Sequence, residues 1–450
     1  MGPGTPATGP GRMTGVLKAV FMASLPPSRQ WPLALACMPG LIAIMVTGLL
    51  SGQHLSVCLL ALSGAFTVGF GAFKKLTDYP LAPMLSVAVG MGAAAWFGSL
   101  LGNHFWLLCL AAALMAAICA LMSAIDDALW WITLQWSIAL LVAGAFPGDV
   151  QAADHRAMFI LLGAAVEIAT FVLCAWFLSA TQGLLAHHSL RANLAELRTS
   201  VLGRFRLQRY GAYCASVVVL CLLLVHHMGL QHGYWAPMTA LVVLKAHPTD
   251  TLKRGVARMV GTLGGCLLAA GLGGWGISGA GMGAVGLLCA FMAYGVQGGR
   301  YSLFTLFVTA TVITTAALGG APEWQAAVDR MTATCIGGGL AIVLLSLETW
   351  LGVHLARQRN ERQAALHRVQ CDQKKLAHTA DAVVLRPLLI TMPSHMRLPG
   401  YWHQAVQYYS KLTRSNRFKG ESLPAQAWIP IILKYHRHRL SSFSFHYSIN

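Results

Sequence analysis

Residues Gly233–Gly265 read GYWAPMTALVVLKAHPTDTLKRGVARMVGTLGG, and the rest of the chain is organised around them. An apolar run from Tyr234 to Leu244 stops at Lys245 and Pro248. A short polar segment follows, and a glycine-rich apolar run then restarts with Arg254 and Arg258 at its head. A spanning helix needs about 20 apolar residues. The first run is about half a span, so it crosses only if the polar segment lies in the membrane interface. A guanidinium one turn into a hydrophobic helix costs roughly 2.5–3.5 kcal/mol on insertion scales at the bilayer centre. Such a residue snorkels to the interface or faces a polar pathway, and either placement creates a cationic spot at one membrane face.

The composition excludes a set of soluble domains: 56% of the 450 residues are hydrophobic and only 10% charged. Repeated apolar stretches predict an all-α integral membrane protein. Candidate spans fall at about 33–50, 55–73, 81–101, 105–125, 128–146 and 157–180. A second set falls at about 210–228, 234–247, 255–275, 280–297, 301–318 and 330–351, so about 12 helices form two groups of six. Residues 1–32 read as a cytoplasmic arm and 33–181 as a first membrane repeat. Residues 182–209 read as a basic cytoplasmic linker with an amphipathic leucine pattern, 210–352 as a second repeat, and 353–450 as a basic tail. No cleavable signal peptide is expected, and the first span would serve as the targeting signal.

The two groups look like a repeat. Gly52–Phe73 takes the place of the broken stretch, and PLAPMLSVAVGMGAAAWFGSLLG parallels TLKRGVARMVGTLGGCLLAAGLG. Six helices per group return the chain to its starting side, so the repeats are expected to be parallel. The first group lacks counterparts of Arg254 and Arg258, which predicts that function is unevenly shared.

The formal charge of +17 is uneven too: a net of +6 before Arg357 and +11 from there on. Basic residues at Lys74, Lys75, Arg191–Arg209, Lys245, Lys253, Arg254 and Arg300 fall on one side if the N-terminus is inside. This positive-inside asymmetry predicts an inner (plasma) membrane protein with both termini cytoplasmic. The basic segments then meet anionic lipid headgroups rather than nucleic acid. The 11 cysteines lie mostly singly in apolar runs and the histidines lack acidic or cysteine partners at ligand spacing, so neither a metal nor any other cofactor is expected. No GxxxxGK[ST], GxSxG or HExxH motif occurs, which argues against an enzyme.

Trp235, Thr239, Pro248, Thr251, Arg254 and Arg258, with Gly261-Thr262 and Gly264-Gly265, carry a resemblance. So do Tyr301, Thr309, Arg330 and Gly337. Together they resemble the fusaric acid resistance (FUSC-like) and aromatic acid exporter family, well over 210–352 and more loosely over 30–180. Lys245 departs from the pattern, and the soluble domains of longer members shrink here to a short segment and a tail. The resemblance implies efflux of aromatic or other organic carboxylic acids, driven by a proton gradient or the membrane potential. An organic-anion channel of the malate-channel type and a non-transport scaffold remain alternatives. A homodimer and a periplasmic adaptor remain open as partners.

The expected substrate residues are Arg258, Arg254, Lys245, Trp235 and Thr239. Arg258 would pair with a carboxylate beside a close helix contact at the glycines. Lys245 and Arg254 would raise the local anion concentration at a cytoplasmic mouth, if they do more than set topology. Trp235 and Thr239, one turn apart, suit an aromatic acid, although tryptophan at that depth is also an interfacial belt residue. Gln297, Arg300, Tyr301 and Thr305 make a polar neck. Arg330, with Asp329 beside it and Glu323 before it, is expected in a structural ion pair near the outer face. Glu167 lies alone in AMFILLGAAVEIATFVLCAWF. Burial disfavours the charged form of a carboxylate, so Glu167 is a candidate proton carrier, unless Thr133 or Gln135 bridges to it. Asp127, beside Asp126 at a helix end, is the second proton-coupling candidate.

Overall fold

The structure is a computed structural model that describes residues 30–177 and 205–379. Within that range 51–54, 77–78, 80, 124, 231, 246–247, 278 and 321–322 are excepted. The N-terminal arm to residue 29, most of the basic linker and the tail beyond 379 lie outside the described residues. The architecture is all-helical among the described residues. The first group comprises α1 (Gln30–Ala36), α2 (Met38–Leu50), α3 (Leu55–Gly69, continued by a 3-10 turn Phe70–Phe73), α4 (Ala82–Leu101), α5 (Phe105–Met122), α6 (Asp127–Gly144) and α7 (Val150–Phe177). The second comprises α8 (Phe205–His227), α9 (Trp235–Val243), α10 (Pro248–Gly274), α11 (Ala280–Val296), α12 (Tyr301–Leu318) and α13 (Glu323–Thr379). Two compact units divide at Glu348 and Thr349, and the described part of the second, up to Thr379, is the later stretch of α13.

Nine segments among the described residues are long and apolar enough to cross a bilayer, with α1 and α2 counting as one. Two further apolar helices, Val57–Phe73 and Ala280–Val296, are shorter. Each expected span therefore meets a helix, but α9 has only 9 residues, about 13 Å at 1.5 Å per residue. Lipid-facing surface is visible on α5, where Trp106, Leu110 and Leu114 stand exposed while Leu108, Ala112 and Ala116 face the core.

Helix ends follow from local chemistry. Asp126 caps α6: its carboxylate accepts from the Ala128 and Leu129 amides at 2.7 and 3.4 Å. The sequence break after α9 is stitched rather than loose. Leu244 turns extended, and the Thr251 hydroxyl both accepts from the Lys245 amide (2.9 Å) and donates to the Lys245 carbonyl (3.1 Å). Pro248 then opens α10, where its missing N–H costs nothing. That start corrects the expected boundary of 255: Arg254 and Arg258 lie two and three turns into α10, not at its head. Likewise Arg330 lies two turns into α13, because that helix begins at Glu323 rather than 330. In the first group α7 begins at Val150, ahead of the expected 157.

Packing rests on close backbone approaches. A Cβ at Gly98 or Gly102 of α4 would strike the Leu140 or Gly144 carbonyl of α6. A Cβ at Gly261 or Gly265 of α10 would strike the Ser302 or Leu306 carbonyl of α12. In both groups the third spanning segment thus lies on the fifth, through small residues that let helices approach in a membrane. In the same way Gly163 of α7 abuts the Ala61 carbonyl of α3, and Gly337 of α13 abuts the Ala236 carbonyl of α9. Across the groups, α8 packs on α5 while α1 and α2 pack on α11.

Candidate functional site: a buried cationic seam

Four helices of the second group each turn polar residues spaced one turn apart toward a shared interior. Residues at i and i+4 share a helix face, which aligns Trp235 with Thr239 on α9 and Arg254, Arg258 and Thr262 on α10. Tyr301, Thr305 and Thr309 align on α12, and Arg330 and Thr334 on α13. Arg258, Arg330, Trp235 and all five of these threonines are buried. The helices converge where Gly261 meets Thr305, Gly265 meets Thr309, Gly337 meets Ala236 and the Cys266 thiol donates to the Ala327 carbonyl.

Buried hydroxyls in helices ordinarily bond the carbonyl one turn back. Thr311, Thr314 and Thr315 of α12 do so, onto Phe307, Ala310 and Thr311 at 2.8–2.9 Å. Thr305 and Thr309 of the same helix do not, nor do Thr239, Thr262 and Thr334. All five leave a buried Oγ1 without a partner, as do the Nε atoms of Arg254, Arg258 and Arg330. The Tyr301 hydroxyl lies in polar contact with both Thr305 and Arg254 and within electrostatic reach of Arg258, though neither contact has full hydrogen-bond geometry. An unsatisfied buried group costs about 1–3 kcal/mol, more when charged. So many along one seam leave an unusual number of polar groups unspent within closely packed helices.

Its charge is positive. The Arg330 guanidinium lies 4.9 Å from the Trp235 ring centre and is repelled by Arg258. At the other end, Lys245 Nζ lies 3.3 Å from the Trp130 ring centre, and Arg254 lies 4.9 Å from Trp130 and 4.6 Å from Tyr301. Among the described residues no carboxylate pairs with Lys245, Arg254, Arg258 or Arg330. The carboxylates at the two ends are engaged elsewhere: Asp127 with Lys74 at 3.0 Å and Asp329 with His232 at 2.7 Å. His232 also stacks on Trp235, ring centres 5.2 Å apart.

The structure therefore brings Arg258, Arg254, Lys245, Trp235 and Thr239, the residues singled out from the sequence, around one seam. An ion pair of Arg330 with Asp329 does not form. Asp329 turns to His232, and Arg330, deeper in α13 than its boundary suggested, turns inward onto Trp235. Sequence reasoning did not find Trp130 or Thr334; no spacing in the sequence joins a tryptophan of α6 to Lys245.

Glu167 stands apart from the seam. It is fully buried between α2, α3 and α11, where a Cβ on Gly40 or Gly69 would strike or crowd its carboxylate. Neither of its oxygens has a hydrogen-bond partner. The neighbouring Tyr294 hydroxyl donates instead to the Phe66 carbonyl at 2.7 Å. A bridge to Thr133 does not form, because Thr133 donates to Leu129 and Trp130 carbonyls of its own helix. No group of three or more metal-ligating side chains occurs among the described residues.

Helices of this length and apolarity, packed through glycine and enclosing a polar seam, define a helical, multi-pass membrane protein. Within that class, residues 220–344 match the family model described as fusaric acid resistance protein-like. The matched segment runs from α8 into α13 and holds the seam except for Trp130. It bears out the resemblance read from the second half and supports an efflux-like membrane role. No curated protein and no solved structure matches the chain.

Proposed function

We propose that the chain is an inner-membrane secondary transporter that exports aromatic or other organic carboxylic acids, with the seam as its substrate site. The observation that carries this reading is the pair Arg258 and Arg330. Both are buried, both keep an unbonded Nε, and neither has a carboxylate partner among the described residues. A buried charge costs several kcal/mol unless it is neutralised. An organic carboxylate would neutralise the pair through charge-assisted hydrogen bonds, and the threonine hydroxyls would complete its shell. With its carboxylate on Arg330, an aromatic acid would lie beside Trp235. The 13 Å reach of α9 supports a site at mid-membrane depth, where transporter sites are built on broken helices.

The two groups of helices are, in this reading, parallel repeats, supported by the matched third-on-fifth and glycine-on-carbonyl contacts and by the reciprocal first-on-fourth packing across the groups. Positive-inside charge supports cytoplasmic termini and an anion gathered at Lys245 and Arg254. Glu167, sealed between the groups without a partner, is the candidate proton carrier. Asp127, paired with Lys74 at the mouth, is the second.

Uptake of radiolabelled benzoate and related aromatic acids into inside-out vesicles, wild type beside Arg258→Gln, with and without an uncoupler, tests the reading. Saturable uptake abolished by both the substitution and the uncoupler is expected. Wild-type rates in Arg258→Gln would remove the seam from the transport path, and non-saturating current would favour the channel.

A further inference from the structure

Trp130 belongs to α6 in the first group, yet the cations on its ring come from the second. Lys245 Nζ sits 3.3 Å and the Arg254 guanidinium 4.9 Å from the indole centre. Arg254 is also 4.6 Å from the Tyr301 ring, so one guanidinium is held by an aromatic of α6 and another of α12. Trp130 is buried, which makes this a contact between the groups and not a belt facing lipid. Asp127, one turn earlier on α6, is ion-paired with Lys74; it lies within electrostatic reach of Lys245 and Arg254 but makes a direct ion pair with neither. Lys245 is itself fixed to α10 through its backbone bonds to Thr251.

An aromatic face attracts a cation through its quadrupole. A carboxylate attracts it more strongly, through charge-assisted hydrogen bonds that are bidentate with a guanidinium. An entering anion and the Trp130 ring therefore compete for the same two side chains. We propose, resting on the reading of the seam as an anion site, that Trp130 is a positioning residue that latches the seam's mouth. It holds Lys245 and Arg254 against the first group until an organic anion takes them, and anion binding thereby loosens α6 from the α9–α10 break.

The latch and a merely structural tryptophan predict opposite signs. If wild type must give up ring contacts to bind, removing the ring tightens binding; if Trp130 only supports the fold, removing it weakens binding. The test titrates benzoate into the purified full-length chain in lipid nanodiscs, for wild type, Trp130→Phe and Trp130→Leu. Amide exchange is followed over residues 127–133 and 248–256. The expected dissociation constant for Trp130→Leu is about three- to tenfold below wild type, with Trp130→Phe between them. Exchange without benzoate should be faster in Trp130→Leu, and wild type should approach that rate only at saturating benzoate. Binding by the variants equal to or weaker than wild type overturns the latch, and should Trp130→Leu fail to fold, Trp130→Phe alone decides the sign. Absence of benzoate binding by wild type would instead overturn the anion-site reading, and the latch with it.

Discussion

Arg156 of α7 and Arg330 of α13 occupy matching places: each lies two turns before the glycine, Gly163 or Gly337, that abuts the short second segment of its group. Their surroundings differ. Arg156 donates to the Ser99 hydroxyl at 2.8 Å and to the Phe146 carbonyl, tying α7 to α4 and to the end of α6. Arg330 has an unbonded Nε, an indole beneath it and a second arginine nearby. The same packing scheme thus carries a satisfied structural cation in one group and an unsatisfied one in the other. Arg156 is only partly buried and bonds to the chain, whereas Arg330 is buried with its Nε unbonded; burial together with unmet hydrogen bonds is what sets the second apart.

That contrast can be broken most sharply at the arginines. Arg330→Gln or Arg258→Gln removes a hydrogen bond to a charged group, worth about 1.5–3 kcal/mol, so benzoate affinity should fall by roughly 10- to 150-fold. Thermal stability should hold or rise, since an uncompensated buried charge is lost. Arg156→Gln should do the reverse: wild-type affinity, with about 1–3 kcal/mol of stability lost as the Ser99 and Phe146 groups lose their partner. Denaturation of the purified proteins checks both. Next, Gly163→Ala and Gly337→Ala should each destabilise by about 1–3 kcal/mol through overpacking. A large effect at only one of them would show that the two contacts are not equivalent. The smallest expected effect is at the threonines. Thr305→Val should weaken benzoate binding by about fivefold, while Thr311→Val, whose hydroxyl is spent on its own helix, should leave it unchanged.

Much of this was legible in the sequence. Apolar length locates the helices, and the stop at Lys245 with Pro248 behind it marks the broken element, because neither a buried lysine nor an interior proline suits a continuous span. Helix starts were less legible. Pro248, Thr251 and Asp250 make a polar first turn that reads as loop, so Arg254 and Arg258 looked terminal when they lie inside α10. Arg330 beside Asp329 read as a local ion pair, but neighbours in a helix point about 100° apart, and Asp329 found His232 from another element. Trp130 was invisible for a different reason: its role depends on which helices of the two groups meet, which local pattern does not encode.

In the proposed function the second group, and not the first, holds an anion. Calorimetric titration of benzoate into the purified wild-type chain, with Arg330→Gln and Arg156→Gln beside it, tests that most directly. One saturable site is expected, surviving Arg156→Gln and lost or weakened at least tenfold in Arg330→Gln. Equal binding by Arg330→Gln and wild type, or loss in Arg156→Gln with Arg330→Gln intact, would contradict it.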